Sequence, residues 1–390
     1  MQRIRTIALV GVILGVISLG QVGSVWGAAR STAPAARPGA APQFSTATQR
    51  ALTSIAISGM GAANMPGMEV GVWVPGEGSL VEALGTSDQA TGAPLTLSDH
   101  LRIASVSKTF TATAILELVD QHKLSLSDHL SSFIVGIPNG SRITIAELLN
   151  MTSGIYDYVN DAAVIRVYDV NPMRPFALKD VLAIIKRNKP MFAPGAKVVY
   201  DNSNYYLLGA IAAKVAHESL GRLITTQILG PLGMTHTSYP GTPTMPAPFS
   251  HGYINQPNFP LRDVTNSNPA FAGGAGAMIS TLGDLKIWAK ALATGSLLTP
   301  ATHALQLKTG VLAKTPKLRL GYGLGITDIN GFLGHDGAIA GYGTAMFYLP
   351  RRKATIVLIG NNNDLGNPTP LAPALAIAAY LFPKQFPNGL

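Results

Sequence analysis

Not one cysteine occurs among the 390 residues. That excludes structural disulfides, thiolate metal sites, a cysteine nucleophile and a lipid-modified cysteine anchor. Charge is also scarce, at 13% of residues against 47% hydrophobic. This is the balance of a folded chain with a sizeable core, not of a disordered one. No Lys/Arg run exceeds Arg351-Arg352-Lys353, and no basic stretch interleaves with aromatics. The excess of 29 basic over 20 acidic residues therefore points to work near an anionic envelope, and no nucleic-acid partner is expected. The histidines are scattered, without H-E-x-x-H, and His217-Glu218 lacks metal spacing, so no metal is expected. Gly273-Gly274-Ala275-Gly276 has no strand before it and helix after it, so it reads as a tight turn, and no cofactor is expected.

Arg3 and Arg5 precede an uncharged apolar stretch, 6–20, short of the roughly 20 residues that span a bilayer. Val25-Trp26-Gly27 then leads to Ala28-Ala29. Residues 1–27 are expected to be a secretory signal peptide, with an uncleaved anchor as the alternative. Removal takes away two Arg and no acid, which leaves 27 basic and 20 acidic residues and no stable membrane span. The protein is expected to be exported, periplasmic or extracellular, in association with the cell envelope. Residues 28–44 are rich in Ala and Pro and are expected to form a flexible linker.

One domain is expected over 45–385. Residues 45–58 have helical spacing. Residues 68–74 alternate and end at Pro75-Gly76, and 80–85 completes a hairpin with them. Helices suit 108–121, 144–150, 178–188, 205–216, 220–228 and 282–294. Strands return at 331–334, 343–349 and 354–360, before a last helix over 372–381. The predicted fold is α+β. An antiparallel sheet is built from both chain ends, about 45–104 and 320–385, and carries the terminal helices. A mainly helical lobe, about 105–319, is inserted beside it, and a cleft separates the two lobes.

Ser105-Val106-Ser107-Lys108 stands at a predicted helix start, where positions i and i+3 share one face. A serine alcohol needs a base to take its proton, and a buried Lys can lose its charge and serve. The helix N-terminus adds amide hydrogens where an oxyanion forms. An ordinary Ser-to-Lys spacing on a solvated helix is spelled the same way, but here the motif occurs once and runs into the apolar stretch 111–119. Tyr200-Asp201-Asn202 follows Pro194-Gly195 and precedes a helix. Its Tyr oxygen can relay protons and its Asn amide can hold a substrate carbonyl. Two segments compete as a third element. Lys308-Thr309-Gly310 ends a helical stretch, whereas His335-Asp336-Gly337 lies between strand-like segments and is preferred. No serine occupies a G-x-S-x-G elbow. His251, before Gly252-Tyr253, reads as a loop histidine.

In order, these elements resemble the class C β-lactamase and D-alanyl-D-alanine carboxypeptidase family of penicillin-recognising serine hydrolases, which includes related esterases. The matching stretches also include Leu148-Leu-Asn-Met-Thr-Ser-Gly-Ile, Gly273-Gly-Ala-Gly-Ala-Met-Ile-Ser-Thr-Leu-Gly-Asp-Leu and Gly334-His-Asp-Gly-Ala-Ile-Ala-Gly-Tyr-Gly. The likeness extends from about residue 48 to 383. It implies a β-lactamase/transpeptidase-like fold, with Ser105 as the acylated nucleophile, Lys108 as its partner and Tyr200 as the third catalytic group. Asn202, His335, Gly337 and Ala338 would bind substrate, with the Ser105 and Ala338 amides as oxyanion hole. Asp201 stands where the family commonly has Ser, and His335 where β-lactamases carry Lys. The implied activity is acyl-enzyme hydrolysis of D-Ala-D-Ala-like peptides or small esters. β-Lactamase action is one alternative, and non-catalytic binding of penicillins or peptidoglycan stem peptides is another. His335 is expected to supply positive charge only as pH falls.

Overall fold

The computed structural model describes residues 42–390 except 172, 175, 256–259 and 364–368. The expected signal peptide, and the linker as far as residue 41, lie outside the described residues. Helix α1 (Thr46–Ala62) opens the fold. Ser45 caps it by accepting from the Thr48 amide at 3.2 Å. The linker was expected to run through residue 44, but the Phe44 side chain is buried in the sheet core.

Among the described residues nine antiparallel strands form one sheet. They are β1 (Gly67–Val74), β2 (Gly78–Asp88), β3 (Ala93–Pro94), β4 (Gly310–Lys314), β5 (Arg319–Tyr322), β6 (Thr327–Ile329), β7 (Phe332–Ile339), β8 (Tyr342–Leu349) and β9 (Ala354–Gly360). Their order is β3-β2-β1-β9-β8-β7-β6-β5-β4. The chain ends meet where β1 pairs with β9, with Met68 opposite Gly360. The lobe boundary shifts from the sequence expectation, since β4 and β5 carry the sheet back to residue 310. β4 is an edge strand with Val311 and Lys314 exposed, and so it lacks the buried alternation that marks β8 and β9.

The period-two pattern of β9 divides two cores. Ile356 and Leu358 face α1 and the final helix α10 (Leu371–Leu381), whereas Val357 and Ile359 face the helical lobe. α1 and α10 touch closely at Gly59, where a Cβ would stand 2.7 Å from Pro373. No helix among the described residues is long and apolar enough to cross a membrane.

Two features position the site. Helix α2 (Ser107–Asp120) is buried without a break from Ser107 to Leu118, which makes it the central post of the helical lobe. Helix α8 (Leu282–Thr294) ties it to the sheet. Trp288 of α8 stacks on Phe110 at 4.2 Å and donates its indole N–H to Thr109 Oγ1 at 2.7 Å. The second feature is an open strand edge. β6 pairs with β7 only at Phe332, Leu333 and Gly334. Residues 335–339 are paired on the β8 side alone, which leaves their other edge free for an extended substrate.

If Trp288 is the tie between sheet and post, Trp288→Ala should cost about 3–5 kcal/mol of stability. Guanidinium denaturation measures it, and a loss under about 1 kcal/mol would contradict this assignment.

Candidate active site

Ser105 sits on a short 3-10 turn, Ala104–Val106, that leads directly into α2. Ala104 before it has φ +48°, a left-handed conformation that costs energy in any residue with a side chain. Strain thus falls on the residue preceding the candidate nucleophile. The Ser107 side chain fixes this turn: its hydroxyl donates to Ala104 O at 2.7 Å and accepts from the Met278 amide at 3.0 Å.

Lys108, one helical turn beyond Ser105, has no exposed surface. Its Nζ lies 2.9 Å from Ser105 Oγ, 2.8 Å from Asn202 Oδ1 and 2.8 Å from Ala275 O. A neutral amine has two N–H groups and one lone pair. The Asn202 and Ala275 carbonyl oxygens can only accept, so they take the two N–H groups. The lone pair is left directed at the Ser105 hydroxyl. Burial lowers the Lys108 pKa to about 7, against the opposing pull of Asp157, Asp201 and Asp336. The amine is therefore available as a base near neutral pH.

The Ala275 carbonyl comes from the glycine turn. Gly273 has φ +48°, and a Cβ on Gly274 would stand 2.6 Å from Tyr205 O. Thr111 of α2 donates to Gly274 O at 2.7 Å and pins the turn to the post. The turn was legible in the sequence, but its part in holding Lys108 was not. Asn202 is the first residue of helix α6 (Asn202–Ala216), and Asp201 caps that helix by accepting from the Ser203 amide at 2.6 Å.

Tyr200 lies in the preceding loop, half-buried, with its ring centroid 4.9 Å from Lys108 Nζ. Its buried hydroxyl makes no hydrogen bond, and the Ser105 hydroxyl is near enough to favour its ionised form slightly against the burial. Burial holds its pKa well above the usual phenol range, so Tyr200 keeps its proton and can donate it. Asp157, missed in the sequence, accepts from Asn202 Nδ2 at 3.2 Å.

Gly337 brings β7 against the nucleophile. A Cβ there would stand 2.6 Å from Ile103 O and 2.8 Å from Ser105 N. Ala338, whose amide the family resemblance assigns to an oxyanion hole with that of Ser105, follows Gly337 on β7. His335 behaves otherwise than its sequence suggested. Its side chain is 1% exposed, with Nε2 3.3 Å from the Tyr322 hydroxyl and Nδ1 against Asp336 O. Burial, reinforced by Lys108, lowers its pKa to about 3. The expectation that it gains charge on mild acidification is thereby corrected: His335 stays neutral and packs behind Tyr200, with ring centroids 6.0 Å apart.

Lys308 is exposed, between the helix Pro300–Gln306 and the edge strand β4. Gly310 starts that strand and does not stop the helix. β4 is separated from β7 by β5 and β6. His251 is a loop residue paired with Asp263 Oδ2 at 2.6 Å. Among the described residues no group of three His, Asp or Glu is placed to hold a metal ion.

Gly337→Ala should push β7 off Ser105 and lower turnover by about a hundredfold, the scale of losing an oxyanion donor. Lys308→Ala should stay within about twofold of wild type, as surface substitutions do. Steady-state kinetics on the folded variants decides, and the reverse order of effects would return the third motif to Lys308-Thr309-Gly310.

The geometry has counterparts among known proteins. The family model described as Beta-lactamase matches residues 52–380. Protein flp of Staphylococcus aureus (strain N315) is 32% identical over 233 residues, 58% of this chain and 45% of that protein. The putative penicillin-binding protein PbpX of Bacillus subtilis (strain 168) is 28% identical over 270 residues, 68% of this chain and 63% of that protein. The chain thus spans about half to two thirds of the length of these relatives. Of solved structures, the D-stereospecific amidohydrolase from Streptomyces sp. superposes with a TM-score of 0.75 at 28% identity, covering 86% of this chain and 98% of that one. The D-amino acid amidase from Ochrobactrum anthropi SV3, complexed with L-phenylalanine amide, shares the fold with a TM-score of 0.74 at 22% identity, covering 86% and 99%. Since the family match takes in nearly all of the folded region, together with Ser105, Lys108, Tyr200 and the open edge of β7, the chain belongs to the beta-lactamase family of penicillin-recognising serine hydrolases.

Proposed function

We propose that the protein hydrolyses amides and esters through an acyl-enzyme on Ser105. It favours substrates without a carboxylate beside the scissile bond. Amino-acid amides and small esters rank first, D-Ala-D-Ala-like peptides next and β-lactams last. The observation that carries the reading is the 2.9 Å contact between Ser105 Oγ and an amine whose N–H groups are both engaged elsewhere.

The lone pair of Lys108 takes the hydroxyl proton as Ser105 Oγ attacks the substrate carbonyl carbon. The carbonyl electrons move onto oxygen, held by the Ser105 and Ala338 amides. The C–N or C–O bond then breaks. Tyr200 gives its proton to the leaving group and regains one from the Lys108 ammonium, which restores the neutral amine. Water attacks the acyl ester next. Its proton passes through the same groups, and the acid leaves with Ser105 restored.

The ranking follows from charge. A substrate carboxylate near the open edge would need a cation. His335 is neutral there, and Asp336, half-buried beside it, is an acid of pKa about 6 that is ionised above that pH. A negative substrate group meets a negative wall, while an uncharged ester or amide meets none. The likeness to an amidohydrolase at 28% identity supports the amide reading. The likeness to PbpX supports the peptide reading that ranks below it. We place the activity outside the cell, on the strength of the leader-like residues 1–27.

Fluorophosphonate should label the wild type, and Ser105→Ala should abolish labelling; persistence at an unchanged site would remove Ser105 from its role. For a neutral nitrophenyl ester, kcat/KM should rise about tenfold between pH 6 and 8, as Lys108 loses its proton. Across an amino-acid amide, the ester, a D-Ala-D-Ala peptide and nitrocefin, the last should be slowest. Nitrocefin turnover near 10⁶ M⁻¹s⁻¹ at pH 7.5, the range of good enzymes, would reverse the ranking.

A further inference from the structure

We propose that Asp157 is a positioning residue for this reaction, acting on Lys108 through the Asn202 amide. The inference rests on the acyl-enzyme reading above. Asp157 is buried in the loop ahead of the 3-10 turn Tyr158–Asn160. It is fixed against the start of α6 from both sides: the Ser203 hydroxyl donates to Tyr156 O at 2.8 Å and accepts from the Tyr158 amide at 3.0 Å. These two bonds hold the loop against the residue that follows Asn202.

The consequence is an orientation. A primary amide can present either its oxygen or its NH2 to a neighbour. Asp157 Oδ2 can only accept when ionised, and it takes Asn202 Nδ2 at 3.2 Å. Asn202 Oδ1 is thereby turned to Lys108 Nζ, at 2.8 Å. With the amide reversed, an N–H would face the amine and compete with the Ser105 hydroxyl for its lone pair. Asp157 thus decides which atom of Asn202 meets Lys108, and through it where the lone pair points. It lies behind Asn202, and its hydrogen-bonded route to Lys108 runs through that amide.

The anion adds an electrostatic effect. The acids acting on Lys108 are Asp157, Asp201 on the cap of α6, and Asp336 on β7, with neutral His335 beside the last; the rings of Tyr200 and Tyr205, phenols that burial keeps protonated, also face the amine at 4.9 and 5.9 Å. The charge of Asp157 bears on Asp201 as well. Asp201 Oδ2 is buried without a partner, and burial and Asp157 raise its pKa well above its ordinary value. Asp157 rises only to about 6, because the Val159 amide and Asn202 support its charge. Near neutral pH Asp157 is therefore ionised. That charge opposes the burial that strips Lys108 of its proton, so its loss should let Lys108 deprotonate at lower pH.

Three variants test this, on the full chain with a neutral nitrophenyl ester. Asp157→Ala, which removes the acceptor, should lower kcat at least tenfold with KM within about threefold, since Asp157 does not touch substrate. Asp157→Asn, which keeps an acceptor but not the charge, should move the acid limb of kcat/KM at least half a pH unit below wild type. Asp157→Asn/Asp201→Asn, in which Asp201 cannot take over the charge, should move it at least as far. A limb at the wild-type position in both Asn variants, or a kcat within twofold of wild type in Asp157→Ala, overturns the proposal. Should Asp157→Ala fail to fold, the isosteric Asn variants still decide it. Absence of fluorophosphonate labelling in the wild type would instead overturn the acyl-enzyme reading itself.

Discussion

Burying an amine in a protein interior favours its uncharged form, and the rest of this site follows from how Lys108 is buried. Its side chain has no exposed surface, so desolvation dominates its proton affinity. Full desolvation among apolar groups alone would leave an inert neutral amine of unspecified orientation. Here two carbonyl oxygens, one from Asn202 and one from Ala275, engage the N–H groups and aim what remains at Ser105. The basicity of Lys108 comes from burial, and its direction comes from the two acceptors.

Each acceptor depends in turn on a backbone arrangement elsewhere. Ala275 reaches the amine because two glycines make the turn before it and Thr111 pins that turn to α2. Asn202 is held at the start of α6 with Asp157 behind it. The nucleophile sits on a strained turn that the Ser107 hydroxyl ties to the Met278 amide. Gly337 lets the open half of β7 pass against Ser105 N with no side chain between. β6 begins only at Thr327, opposite Gly334, which leaves that edge open, and the meeting of β1 with β9 builds the sheet that carries it. None of these features is catalytic in itself, but together they leave little freedom to the groups that are.

Much of this was legible in the chain. The single Ser105-x-x-Lys108 before an apolar run announced a nucleophile and a buried base, and the alternation of 343–349 and 354–360 announced central strands. Three kinds of feature were not legible. Short edge strands such as β4, with Gly310 and Lys314 at its ends, have no buried alternation to betray them. Contacts made by main-chain atoms, such as Ala275 O on Lys108, leave no mark in side-chain chemistry. Burial of a polar residue is set by tertiary packing, so His335 could be placed on its strand but not recognised as permanently neutral. Asp157 was hidden for the same reason: its partner Asn202 lies 45 positions away.

The charge pattern that results sets acids around a single amine: Asp157 and Asp336 are anionic near neutral pH, burial raises the pKa of Asp201, and the amine gives up its charge near pH 7. Everything turns on that amine. The direct measurement is an NMR titration of the Lys108 side chain in protein carrying isotope-labelled lysine, with the signal assigned by its loss in Lys108→Arg. A midpoint near pH 7 is what the account predicts. A Lys108 that stays charged up to the ordinary lysine range near pH 10.4 would contradict it, for no base would then stand beside Ser105.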